Sequence, residues 1–505
     1  MSIVRSLKVT LLRIVGGGAG AREVEEKKSL KGFASKVPKA IVVMIAVMLV
    51  VYGMRYLGWF RGFENSHLDA LIRLWAAPKI SKNIVIVEIN EQDYQQRFEG
   101  TSPLDRRKLL DLIRAVQKYK PSVIGVDIDT NGWSTACKRH YAEDGARCAK
   151  EDADFDHALG ELRAEVKKNG TVIVWAAVPR TPHPPLELDP GLGSLPLDPD
   201  SDQLGIPGFP VDEDGSVRHF DGRVEVEKGG HGCPEGADAD GGKCYLRSFA
   251  RAIYEACAQK SACDHNTDRT MRSVDEPVIF NFHGDRYQFP IIDAKQFPEQ
   301  VPNETLAEQE IDSANTEIET SRTARFAGKV VLIGGGYPEA RDEYFTPRGL
   351  MQGVELNALA IQTDLEGGGI PELSWLLEIP IDFAVGLYIV GIFYRFEARP
   401  WKALGWSAVV IPIALVASMV LFRTPAYWFN FIPVAAGVFL HQLWELAEGG
   451  TEAQEKLREL RRERERVEVE VATVEELAVA ESAEAGPADP IAENAKVKRA
   501  ASGAD

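Results

Sequence analysis

Phe326-Ala-Gly-Lys-Val-Val-Leu-Ile-Gly-Gly-Gly-Tyr337, followed by Met351-Gln-Gly-Val-Glu-Leu-Asn-Ala-Leu-Ala-Ile-Gln-Thr-Asp364, sets the architecture of this chain. The run Val330 to Ile333 is apolar and β-branched and stops at glycines, which predicts a buried strand. Gly334, Gly335 and Gly336 permit a tight turn and a close approach of backbone. From Val354 to Leu365 an apolar stripe at Leu356, Leu359, Ala360 and Thr363 predicts a helix. Soon after it, the chain becomes apolar enough to enter a membrane.

Upstream, the same alternation recurs. Ile84 to Ile89 predicts a buried strand, and Asp105 to Tyr119 a helix with Leu109, Leu112, Ile113 and Val116 on one face and Asp105 as N-cap. Ser122 to Asp127 is the next strand, and a strand–helix–strand unit of this length implies parallel pairing. Asp154 to Lys168 and Thr171 to Val178 repeat the theme. A Pro- and Gly-rich insertion covers 179–243. Tyr245 to Ala258 predicts a helix, Pro277 to Phe282 a strand, and Asn303 to Arg325 a helical excursion. The fold class is α/β, an extracytoplasmic domain with a mostly parallel sheet, joined to four transmembrane helices and a charged cytoplasmic helix.

Four uncharged or nearly uncharged stretches predict those spans: 40–60, 376–394, 403–422 and 424–443. A cleaved signal peptide competes with the first, but no small-x-small site follows Met54. Basic residues dominate 1–39 and the loop from Arg395 to Lys402, which places both termini in the cytoplasm and 61–372 outside it. All six cysteines fall in that outer part. Proximity suggests the disulfides Cys137–Cys148, Cys233–Cys244 and Cys257–Cys263, among fifteen pairings that six cysteines permit. A formal charge of −17 argues against nucleic acid as a partner. Glu378 and Asp382 share one helix face near the start of the second span, either at headgroup level or as a functional pair within it. In the tail 444–505, Leu457, Leu460, Val467, Val471 and Val474 occupy a and d positions over 452–481, with Arg464 at an a position. That pattern is read as a short coiled coil or a single charged helix.

Ligands of open parallel sheets bind beyond the carboxyl ends of the strands. Polar residues cluster at three such ends: Glu88 and Asn90 at the first, Asp127 and Asp129 at the second, and Gly334, Gly335 and Gly336 with Asp342 and Glu355 at the last. Together they form a candidate site for a hard cation or a small polar ligand. The metal, if any, is unspecified, and no cofactor is expected. No phosphate-loop, nucleophile-elbow or zinc-protease motif occurs.

These residues resemble the second type of CHASE domain, the extracellular sensory domain of bacterial cyclases and histidine kinases. The resemblance is carried by His67-Leu-Asp-Ala-Leu-Ile-Arg-Leu74, Ile84 to Glu91, Val123 to Asp127, Phe326 to Gly334, Asp342, Thr346-Pro347 and Gly353-Val-Glu355. The layout of one span, the domain, then three spans is also similar. Departures are Glu88-Ile-Asn90, where two aspartates are common, Thr101 to Arg106, where a Trp-Pro-rich turn is common, and Asn357, where a histidine is usual. The tail is shorter than a kinase or cyclase domain. The resemblance therefore implies a sensor of a periplasmic ligand that relays to a separate cytoplasmic signalling protein, with a homodimer through 452–481 as one arrangement. The other readings are a scaffold of a membrane complex and a periplasmic metal-dependent hydrolase using Glu88, Asp127 and Asp342.

Overall fold

The computed structural model describes residues 41–75, 80–129, 145–179, 185–186, 197–198, 200–228, 233–234, 237–259, 277–282, 289–297, 323–396, 399–423 and 427–484. Two compact units emerge. One joins Arg55–Glu378 to Ala414–Ile432; the other contains Ile379–Ile413, the residues up to Met54 and those from Pro433.

In chain order the elements begin with α1 (Ile41–Tyr56) and α2 (Arg61–Trp75). There follow β1 (Ile84–Ile89), α3 (Glu91–Gln96), α4 (Arg106–Gln117), β2 (Val123–Asp127), α5 (Gly145–Asn169) and β3 (Val172–Ala176). Next come β4 (Asp202–Gly205), β5 (His219–Phe220), β6 (Arg223–Val226), β7 (Asp238–Asp240), β8 (Lys243–Arg247), α6 (Phe249–Gln259), β9 (Val278–Ile279) and β10 (Ile291–Asp293). The last are β11 (Val330–Gly335), β12 (Glu343–Thr346), β13 (Gly349–Gln352), α7 (Gly353–Leu365), α8 (Trp375–Arg395), α9 (Pro400–Ala408), α10 (Val410–Arg423) and α11 (Ile432–Glu484).

Six strands form one sheet in the order β10-β1-β11-β2-β3-β4, every pair parallel. Side chains alternate between its faces with period two. Val85, Val87, Ile124, Val126, Val331 and Ile333 share a core with Leu109, Leu112, Ile113 and Val116 of α4 and Phe155, Leu159 and Leu162 of α5. Ile84, Ile86, Val123, Val174, Val330 and Leu332 share the other with Phe249 and Ile253 of α6 and Val354 and Leu359 of α7. Each such side chain contributes about 1.5–3 kcal/mol on full burial. Helices on both faces explain why the strands are apolar without alternation.

Several local expectations shift. Asp105 does cap α4, accepting from the Arg107 and Lys108 N–H groups. The apolar stripe foreseen on α7 is instead burial all round: every residue from Gly353 to Leu365 is buried, as a helix caught between a sheet and a second helix must be. The segment read as an insertion supplies β4, the edge of the main sheet. Its sequence, Asp-Gln-Leu-Gly, carries no strand pattern. Its fit depends on Gly205, where a Cβ would sit 2.5 Å from the Phe249 Cα. The strand foreseen over Pro277 to Phe282 is the short β9, which pairs with β5 outside the main sheet, while β10 occupies the other edge. The helical excursion from Asn303 lies, but for its last residues, outside the described residues.

Cys233–Cys244 forms a disulfide joining residues 11 apart. Cys257 is also disulfide-bonded, but Cys263 lies outside the described residues, as does the Cys137–Cys148 pairing.

Among the described residues, two helices are long and apolar enough to cross a membrane, Leu376–Arg395 and the continuous pair within Pro400–Arg423. Where the sequence predicts one straight span over 40–60, α1 stops at Tyr56 and α2 leaves at 79°, after a turn at Gly58 with φ +76°. That left-handed conformation suits glycine. Over 424–443, helix begins only at Ile432, because Trp428 is drawn into a bridge with Glu372. Within the smaller unit, α1 and α8 approach closely at Gly386, whose Cβ would fall 2.5 Å from the Met44 Sδ. The Tyr52 hydroxyl donates to Asp382 at 2.7 Å, and Gln442 Nε2 to Ser407 Oγ at 2.8 Å. Asp382 of the acidic pair is thus hydrogen-bonded inside this unit. Glu378 belongs to the larger unit, where it pairs with Arg55 at 2.9 Å; such pairing is how a carboxylate persists at a membrane boundary.

Candidate functional site

The register of the sheet brings the foreseen strand ends level. Glu88 stands opposite Gly334, Gly334 opposite Asp127, and Glu88 opposite Asp293 on its other side. In-register residues of parallel neighbours project to one face, here the face that carries α7. Gly334 lets that helix in, since its Cβ would lie 2.6 Å from Val354. Gly336 lies against the Glu88 carboxylate, 1.9 Å from the position a Cβ would take. The glycine run therefore serves close packing of helix and carboxylate on backbone.

Asp127 is the centre of the arrangement. Asn357 of α7 donates from Nδ2 to its Oδ2 at 2.8 Å. Asp342 arrives from the loop after β11, where Arg341 adopts the left-handed conformation. The Gly353 N–H donates to its carbonyl at 2.7 Å. Its carboxylate packs on Gly353 so closely that a Cβ would clash at 2.0 Å, and the Tyr344 hydroxyl bonds to it. Asp127 keeps partial exposure while protein strips water from its carboxylate. Burial, then the charge of Asp342, push it up to about 8 against the pull of Asn357. Burial raises Asp342 as well. Both carboxyl groups are therefore held toward their protonated forms by burial.

They open on a cleft of about 890 Å³, within the usual range for a small-molecule site. Asp129, Asp221, Glu339 and Arg341 add charge to its walls, and Tyr337, Tyr344 and Phe209 add aromatic surface. Tyr337 is held by stacking on Tyr94, ring centroids 4.2 Å apart, and burial pushes its hydroxyl up to about 12. Tyr344 meets Phe209 edge to face at 5.5 Å.

Of the foreseen residues, Asp127, Asp129, Gly335 and Asp342 line the cleft. Glu88, Gly334 and Gly336 stand beside it as packing elements. Asn90 is the N-cap of α3, accepting from the Asp93 N–H at 2.9 Å. Glu355 closes a capping box at the start of α7, accepting from the Gln352 N–H at 3.3 Å. Sequence reasoning did not find Tyr337, Tyr344 or Phe209, and it noted Asn357 only as a departure. Among the described residues, no three His, Cys, Asp or Glu side chains gather as a metal-ligand set.

The chain thus combines a parallel α/β domain, with a polar cleft at the carboxyl edge of its sheet, and helices long and apolar enough to cross a membrane. The family model of the CHASE2 domain matches residues 46–394, well over half of the chain, and the protein belongs to that family of extracellular sensory domains. No curated protein and no solved structure matches it.

Proposed function

We propose that the chain is an inner-membrane sensor whose larger unit faces the periplasm, binds a small organic cation in the Asp127–Asp342 cleft and passes the bound state to a cytoplasmic partner. The observation that carries this reading is the cleft itself: two buried carboxyl groups, Asp127 and Asp342, lining one cavity with three aromatic rings, in a sensory family. A cation would take the place of a proton that burial leaves on these groups, and Tyr337, Tyr344 and Phe209 supply aromatic surface for it. The four-span topology with both termini inside belongs to this proposal, with α1 and the start of α11 completing the bundle around the two long apolar helices. A ligand-driven relay requires that ligand and partner each prefer one of two states.

The test uses the full chain in nanodiscs, because Phe422 and Trp428 belong to the core of the larger unit and a soluble fragment ending near 372 would lose them. Thermal melts are recorded against organic amines, amino acids, sugars and metal ions. Amines should raise the midpoint, by about 2.7 kcal/mol of stability at a hundredfold excess over Kd, and the Asp342→Asn chain should lose the shift. A flat panel on a well-folded chain would move the reading to the scaffold.

A further inference from the structure

Helix α11 runs unbroken from Ile432 to Glu484, and every side chain from 454 to 469 is exposed. Its apolar stripe is therefore uncovered among the described residues: Leu457 is 57% exposed, Leu460 61% and Val467 54%. In heptad terms Leu457 and Arg464 are a positions and Leu460 and Val467 are d positions. The sequence continues the stripe at Val471 and Val474. A stripe of this kind calls for a partner helix.

The flanks decide which partner. Lys456 and Glu463 occupy g positions, and Arg461 and Glu468 occupy e positions. Copies anchored in one membrane would present this straight helix in parallel. In a parallel pair each g residue faces the e residue of the next heptad on the other helix. Lys456 would then meet Arg461, and Glu463 would meet Glu468, each contact occurring twice by symmetry. In sequence the next pair, Glu470 with Glu475, is again of like charge. Arg464 would also face its own copy within the seam. Its bond to Glu468 along the helix, 3.0 Å and exposed, does little to relieve this. Every flank contact of a parallel self-pair is repulsive, and e and g charges are what set partner choice in such helices.

We propose that 454–469 is a docking surface for one parallel amphipathic helix of a different protein. That helix carries carboxylates opposite Lys456 and Arg461, basic residues opposite Glu463 and Glu468, and a carboxylate facing Arg464. This inference rests on the relay reading, since it supplies the cytoplasmic partner, but it is independent of what the cleft binds.

Two measurements on the full chain test it. The first is oxidative cross-linking of the Leu460→Cys chain in native membranes. Little dimer is expected, and strong dimer after adding Lys456→Glu and Glu463→Lys, which make both flank contacts attractive. The second titrates the chain in nanodiscs with a synthetic helix of the stated complementary pattern. Binding is expected, and it should weaken by about tenfold or more when the probe's flank charges are exchanged. Equal cross-linking of both chains would overturn the proposal in favour of self-pairing. Equal binding of both probes would overturn it in favour of an unspecific apolar or membrane contact. Absence of binding by either probe would also overturn it. A flat ligand panel at the cleft changes none of these readouts, so failure of the ligand reading stays distinguishable.

Discussion

Asp127 behaves as a carboxyl group whose folded state prefers the proton. Its ordinary value lies near 4, whereas burial and Asp342 push it up to about 8. Asp364, buried on α7 beside Arg251, is pushed up to about 7 by burial. For a group raised on folding, the native state binds more protons than the unfolded chain between the two values, so stability falls as pH rises. These carboxyl groups therefore pull the thermal midpoint of the ligand-free protein down between about pH 4 and pH 8. Below about pH 6.5 they are opposed by His67, which burial lowers to about 4 and whose contribution to stability rises with pH. The net decline should show most clearly from about pH 6.5 to pH 8. Asp127→Asn, which mimics the protonated form and keeps an acceptor for Asn357, should flatten that decline and leave the parts due to Asp342 and Asp364. Melts at three pH values check this; an equally steep decline in Asp127→Asn would remove Asp127 from the account. The acid was legible in the sequence because it ends a strand. The Asn357 bond was not, since it joins residues 230 apart that meet only once α7 has packed.

Strand β11 and helix α7 were legible because their apolar runs are long and bounded by glycine. Strand β4 was not, because its place is set by its neighbours: Asp202 is buried beside Arg163 and accepts from Trp175 Nε1 at 3.3 Å, while Gly205 admits the backbone of α6. Adding a Cβ where main chain stands at 2.5 Å forces a shift of helix or strand. Gly205→Ala should lower stability by about 1–3 kcal/mol, as measured by denaturant unfolding; a neutral result would mean that the edge yields freely. The β6-β8-β7 hairpin layer is fastened by Cys233–Cys244. Replacing both cysteines by serine removes a short-loop constraint worth roughly 2–4 kcal/mol, which differential scanning calorimetry would register. An unchanged midpoint would make the staple redundant. Asn90 and Glu355 show how strand-end polar residues mislead: both satisfy helix N-termini, a need as common as ligand binding.

For the molecule as a whole, the two long apolar helices, Leu376–Arg395 and Pro400–Arg423, were readable from hydropathy, because bilayer thickness sets a length that sequence displays directly. The break at Gly58 and the withdrawal of Trp428 into the larger unit were not, because both depend on tertiary contacts. The cleft carries the central claim. Calorimetric titration of the full chain near pH 6 with the amine that most raises the midpoint, in two buffers of different ionisation enthalpy, counts the protons exchanged on binding. Displacement of the proton that burial holds on Asp127 predicts release of about one proton by the native chain, and by Asp127→Asn either no release or no binding. Binding of the amine to the native chain with no proton released would contradict it.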